Sequence, residues 1–238
     1  MKKVIKTPFF EIGIKNYLYG DDVLSLACAA DEAAQEYDVD VLFISPYTEI
    51  RRVSEHTKRI IVLAPYMDLI SPGRGMADVL PEALAAAGAE GVVLNHCERP
   101  MTLNAIRRGI ERARQLEMLS FVCADTLTEV KAVAQFYPDI INPEPTELIG
   151  TGKTSGINYV KSSTRIVKSV NRSILVEQAA SISDAEQVYR LILEGAEGVG
   201  VASGICTAED PEKKAGEMIR AVRRAEDELR RKDVKCDM

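Results

Sequence analysis

The 238-residue chain carries 30 Lys and Arg against 36 Asp and Glu, a net charge of −6. That balance argues against a general nucleic-acid or anionic-membrane binder, and no apolar run reaches the ~20 residues of a membrane-spanning helix. Five scattered cysteines without a CxxC pair, and two histidines, provide neither a structural zinc site nor a disulfide framework, so the cytoplasm is the expected compartment.

The basic start Met1–Lys6 runs into Phe-Phe-Glu rather than a long apolar core, and so does not read as a secretion signal. Phe9–Ile14 is the first apolar segment and ends at Lys15. Gly20-Asp21-Asp22 offers a cap for an alanine-rich helix over Val23–Tyr37. Val39–Ile44 is a strand, a weak helix follows over Glu49–Glu55 with His56 at the surface, and Arg59–Ala64 is a β-branched strand. Pro72-Gly73-Arg74-Gly75 is turn chemistry, and Leu80–Ala87 is helical. The strand Gly91–Leu94 delivers Asn95-His96-Cys97-Glu98. Then come a helix over Met101–Leu116, a strand over Leu119–Cys123, a helix over Thr126–Phe136 and a strand over Asp139–Ile141. The remaining elements are a helix over Asn158–Val170, a strand over Ser173–Val176, a helix capped by Ser183-Asp184 and running to Leu193, a strand over Gly198–Val201 and a charged helix over Pro211–Arg231. Residues 232–238 read as a frayed tail.

Eight short apolar strands, each followed by a helical pattern, imply a parallel sheet. In this length the count fits one closed α/β domain over residues 1–238, a (β/α)8 or TIM barrel. An open doubly wound sheet is the runner-up, without a GxGxxG motif after the first strand to support it.

The stretch from Ile141 to Thr154 carries the most chemistry. Glu144 stands between Pro143 and Pro145 at a strand end, where proline restricts its backbone. The run Ile149-Gly150-Thr151-Gly152-Lys153 follows, able to bend over a ligand and offer backbone N–H groups to an anion. A held carboxylate next to such a loop suits a base with a lid. The bland reading is a tight turn with a solvated glutamate.

In a barrel the residues past each strand end share one mouth. Here that set is Lys15, His96, Glu98, Glu144, Ser181 and Ala202-Ser203-Gly204. A carboxylate opposite an imidazole and an ammonium suits proton abstraction beside a carbonyl, with the two donors stabilising the enediolate oxygen. The loops after the last two strands stand where barrels often bind phosphate. Cys97 and Cys123 read as small buried fillers.

At these residues the chain resembles the triosephosphate isomerase family, and more closely its short archaeal-type branch. The motifs are Leu94-Asn95-His96-Cys97-Glu98 and Glu144-Pro145-Thr146-Glu147-Leu148-Ile149-Gly150-Thr151-Gly152, supported by Val79–Ala83 and Gly198–Gly204. The resemblance implies that Glu144 is the base moving a proton between C1 and C2. His96 is then the neutral electrophile, in the family that is itself the standing example of such a histidine. Lys15 offsets negative charge and Glu98 supports Lys15. Ile149 and Gly150 belong to the lid. Backbone N–H groups at Gly150, Ser181, Ala202 and Ser203 grip the phosphate. The helix expected near Arg99-Pro100 supplies a dipole to His96. No cofactor or metal is implied. The expected partners are a small phosphosugar and further copies of the chain, in a homodimer or homotetramer, and the expected role is carbohydrate metabolism of the glycolytic and gluconeogenic kind.

The pattern also breaks. The family has Asn where this chain has Gly13, which removes a donor and opens space. Ala64-Pro65-Tyr66 replaces Ala-Gln-polar, Met76 stands near a family threonine that reaches a neighbouring subunit, and Gln178-Ala179-Ala180-Ser181 replaces a glycine-rich loop. These changes leave three alternatives to triose phosphate isomerisation: an isomerase of a four-carbon ketose phosphate, a phosphosugar-binding barrel without turnover, and a Schiff-base lyase using Lys15 or Lys153.

Overall fold

A computed structural model of the chain describes residues 2–148, 156–179 and 181–236. Eight parallel strands close in sequence order: β1 Phe9–Gly13, β2 Val41–Ile44, β3 Ile61–Ala64, β4 Gly91–Leu94, β5 Leu119–Ala124, β6 Ile140–Pro143, β7 Leu175–Gln178 and β8 Gly198–Val201. The (β/α)8 barrel expected from the alternation is the fold.

The helices are α1 Asp21–Tyr37, α2 Ile50–His56, α3 Pro81–Ala86, α4 Leu103–Gln115, α5 Leu127–Ala134, α6 Ile157–Val170, α7 Ala185–Leu193, α8 Ser203–Cys206 and α9 Pro211–Cys236. Local chemistry sets their starts. Thr126 accepts the Glu129 N–H while the Glu129 side chain accepts the Thr126 N–H, a capping box for α5. Asp184 caps α7 by accepting the Gln187 N–H at 2.8 Å. By contrast Gly20, not an aspartate, occupies the N-cap of α1 and makes no side-chain bond there. The terminal helix continues to Cys236, past the Arg231 end read from sequence and through residues expected to fray. A Lys232–Glu228 ion pair at 2.8 Å extends the i,i+4 ladder there. No helix among the described residues is long and apolar enough to cross a membrane.

Two apolar cores result. The outer one packs helices on strands, with Phe10, Ile12 and Val199 facing out from β1 and β8. The inner one fills the barrel with Phe9, Leu42, Leu63, Val93, Leu119, Phe121, Cys123 and Ile140. Deleting a ring of this inner layer, as in Phe121→Ala, costs about 3–5 kcal/mol. β8 brings Gly198 and Gly200 to the interior, so neighbours fill its share. The Phe9 ring lies 2.1 Å from where a Cβ on Gly198 would stand. Glu11 and Glu177 take the corresponding space at Gly200.

Candidate active site

The mouth at the C-terminal strand ends is built from β1, β4, β6, β7 and β8. β1 ends at Gly13, and Lys15 adopts a left-handed φ of 49°. Its ammonium lies 2.9 Å from Glu98 Oε1. Burial opposes the Lys15 charge, yet the hydrogen bond and charge of Glu98 outweigh it and leave the Lys15 pKa raised. The same bond holds the Glu98 carboxyl below its usual range. An ammonium so held is a poor amine nucleophile, which argues against a Schiff base at Lys15.

β4 is followed by a pinned turn. Asn95 has a φ of 59°, and its side chain donates to the Cys123 carbonyl at 2.9 Å and accepts the Met101 N–H at 2.8 Å. The turn aims the Glu98 N–H at His96 Nδ1, 3.1 Å away. An Nδ1 that accepts a hydrogen bond puts the proton of the neutral ring on Nε2. Burial first, and then the Lys15 charge, push the His96 pKa down, so the imidazole is neutral at physiological pH. The dipole expected from a helix at Arg99-Pro100 is not there. Helix α4 starts at Leu103 behind a Thr102 cap, and one backbone N–H serves the ring instead. The Asn95–Met101 bond occupies the place of that helix's first turn.

β6 ends at Pro143, and the Glu144 N–H donates to the Ala124 carbonyl at 2.9 Å, extending the ladder with β5 by one bond. The Glu144 side chain is half-buried. Just beyond it, the Thr146 N–H donates to Asp125 Oδ1 at 2.8 Å, and from α6 the Tyr159 hydroxyl donates to the Asp125 carbonyl at 3.1 Å. Asp125 thus ties both flanks of segment 149–155. That segment, with the expected lid and phosphate residues Ile149 and Gly150, lies outside the described residues.

After β7, Ser181 has a φ of 56°. After β8, Ala202 caps the single turn of α8, which begins at Ser203. The two loops meet because position 204 is glycine: a Cβ there would stand 2.3 Å from the Ile182 carbonyl oxygen. The first N–H groups of α8 have no partner within the helix and point outward from its start.

One cavity of about 580 Å³ unites these elements. Gly13, Lys15, His96, Glu98 and Glu144 line it, and so do Ser181, Ala202 and Ser203. Cys97 is half-buried beside His96, and burial followed by the Glu144 charge pushes its thiol up, away from nucleophilic use. At the rim the Arg99 guanidinium lies 4.8 Å from the centre of the Tyr66 ring, and Tyr47 donates to the Tyr66 carbonyl at 3.3 Å. Sequence reasoning passed over Arg99, Tyr47 and Glu11, which also line the cavity. For Glu11 the signal was available: it alternates with Gly13 and therefore shares its inward face.

Residues 12–222 match the sequence model of the family described as Triosephosphate isomerase. The chain is 32% identical over 224 residues to a triosephosphate isomerase of Methanobacterium bryantii, covering 92% of this chain and 99% of that protein. It is 32% identical over 225 residues to that of Saccharolobus solfataricus, covering 93% and 99%. It is 33% identical over 217 residues to that of Methanothermus fervidus, covering 89% and 97%. The match over residues 12–222 and the 32–33% identity over about nine tenths of the chain show that the chain belongs to the triosephosphate isomerase family.

Proposed function

We propose that this protein is an aldose–ketose isomerase of small phosphosugars, interconverting dihydroxyacetone phosphate and glyceraldehyde 3-phosphate through an enediolate. Glu144 removes the proton from the carbon beside the carbonyl and returns it to the neighbouring carbon. His96 donates from Nε2 to the oxygen that gains charge, and the Lys15 ammonium lowers the energy of the same enediolate. Glu98 keeps Lys15 charged and, through its backbone N–H, sets the His96 tautomer. Ser181, Ala202 and Ser203 form the phosphate end. No step calls for a metal or organic cofactor.

The observation that carries this reading is the Glu98 N–H to His96 Nδ1 bond. It fixes a neutral donor in the same cavity as a carboxylate and an ammonium. Incubation with either triose phosphate, followed by proton NMR, tests it. The reading expects interconversion that falls by several orders of magnitude in Glu144→Ala. Binding of both triose phosphates without interconversion would favour the phosphosugar-binding barrel.

The reading extends to context. Unpaired thiols at Cys28, Cys97, Cys123 and Cys206 fit a reducing cytoplasm. Met76, fully exposed on the loop after β3, fits an apolar contact in a homodimer or homotetramer.

A further inference from the structure

Four buried oxygen atoms inside the barrel have no hydrogen-bond donor among the described residues: Glu11 Oε1, both Glu177 carboxyl oxygens and Asn142 Oδ1. In register, Glu11 pairs with Gly200 and Glu177 with Gly198. A Cβ on Gly200 would stand 2.4 Å from Glu11 Oε2 and 3.0 Å from Glu177 Oε1, so the two carboxyls fill the space that the glycine leaves. Asn142 follows Ile140 by two residues on β6 and shares its inward face, one position beyond the Ile141–Val176 pair that joins β6 to β7. All three side chains belong to residues no more than 6% exposed. Buried acceptors without donors are costly and rare. A proton on the carboxyl pair removes the conflict, because a protonated carboxyl donates where its neighbours only accept.

The groups that face the pair favour that proton. Burial raises both carboxyls well above the usual range, the Glu144 charge raises Glu11 further, and Glu11 and then Glu144 raise Glu177. The Lys15 ammonium opposes this at Glu11, as the smallest of the three influences there. Cys123 on β5 and Cys206 on α8 also face the pair. Burial pushes both thiols up, the second to about 12, so neither adds a charge near neutral pH. From β2, the residue beside Glu11 is the apolar Leu42. Glu11 borders the catalytic cavity together with Glu144, so the pair exchanges its proton with solvent there. A fully ionised pair would add its charge to that of Glu144 at the end of the barrel where a phosphate binds and an enediolate forms.

We infer that Glu11 and Glu177 hold a shared proton at neutral pH, and that this proton keeps a further negative charge away from Glu144 and the anionic substrate until alkaline pH removes it. Neither residue touches the reacting atoms. Both are positioning residues that act through Glu144 and through substrate binding. The inference rests on the isomerase reading and adds the alkaline limit of that same site.

The test compares the wild type with Glu11→Gln/Glu177→Gln, whose amides keep the shape of the pair but cannot titrate, with thermal melts to verify folding. Infrared spectra at pH 7 should show the carbonyl stretch of a protonated carboxyl in the wild type and lose it in the double variant. From pH 7 to pH 9.5, kcat/KM for dihydroxyacetone phosphate should fall about tenfold in the wild type and no more than about twofold in the double variant. Calorimetric affinity for glycerol 3-phosphate should follow the same pattern. If the double variant fails to fold, Glu177→Gln alone decides, since its amide donates to Glu11 and removes the need for the proton. A spectrum that the substitution leaves unaltered, or alkaline profiles that coincide in the two proteins, would overturn the inference. Absence of turnover in the wild type would refute the isomerase reading instead, while the spectrum and the glycerol 3-phosphate affinities would still decide the role of the pair.

Discussion

The Lys15 ammonium stands 2.9 Å from the Glu98 carboxylate, joining the end of β1 to the turn after β4. Glu98 is well exposed, with 63% of its side chain accessible, so the pair contributes at most about 1 kcal/mol to stability. Its value is positional. Glu98→Gln should therefore leave the melting temperature nearly unchanged and lower kcat/KM by roughly tenfold, because Lys15 loses the partner that holds it over the mouth. Steady-state kinetics and a thermal melt on the same sample check both halves.

His96 gives a prediction about protonation. Burial and the Lys15 charge lower its pKa, so the ring takes up a proton only below the ordinary value of 6.5. A histidine depressed in this way favours folding while neutral, and that contribution is lost as pH falls below 6.5, where the unfolded chain is protonated and the folded site is not. Nitrogen-15 NMR should show an Nε2–H tautomer at pH 7 and a titration midpoint below 6.5. Lys15→Met should move the midpoint up, and Glu98→Gln should move it down.

Asp125 makes a separate claim. It accepts the Thr146 N–H with its side chain and the Tyr159 hydroxyl with its carbonyl, holding both flanks of segment 149–155. Asp125→Ala and Tyr159→Phe should each lower kcat by roughly tenfold, with little change in the melting temperature, since small errors in placing Glu144 weigh heavily on proton transfer. Rapid-quench kinetics would separate this loss from weaker substrate binding.

The buried pair sets a pH dependence of stability. A carboxyl whose folded pKa is raised adds stability fully below its unfolded value, near 4.5, and loses it as pH rises through the folded value. At pH 8 the folded state therefore carries the cost of an unsatisfied buried acid. Glu177→Gln should stabilise the protein by about 1–3 kcal/mol at pH 8 and by clearly less at pH 4. Chemical denaturation at both pH values measures the difference.

How much of this was legible in the sequence varies from element to element. Gly91–Leu94 and Gly198–Val201 are short apolar runs flanked by strong breaks, and the strands span those same residues. The sequence reading ends this strand at Val176, yet β7 continues through the polar Glu177 and Gln178. Glu177 turns into the barrel, and Gln178 turns outward to donate to Ser163 Oγ at 3.3 Å. Polar residues conceal a strand whenever its two faces are both buried. Lys15, His96, Glu98, Glu144, Ser181, Ala202 and Ser203, grouped by the strand-end rule, line one cavity, because the fold alone places those positions there. The rule could not foresee the Glu98 N–H on His96, which depends on how the Asn95 side chain folds the turn. Nor could it foresee the acidic floor, which depends on which neighbours fill the space at Gly200.

The central claim is that Glu144 carries the proton between adjacent carbons. Its most direct test is deuterium incorporation from D₂O into the carbon beside the carbonyl of dihydroxyacetone phosphate and of a tetrulose phosphate, for the wild type and Glu144→Gln. Rapid incorporation into at least one sugar by the wild type, abolished in Glu144→Gln while ligand binding persists, is the predicted result. Incorporation that survives in Glu144→Gln would contradict the account, and so would its absence from the wild type with both sugars bound.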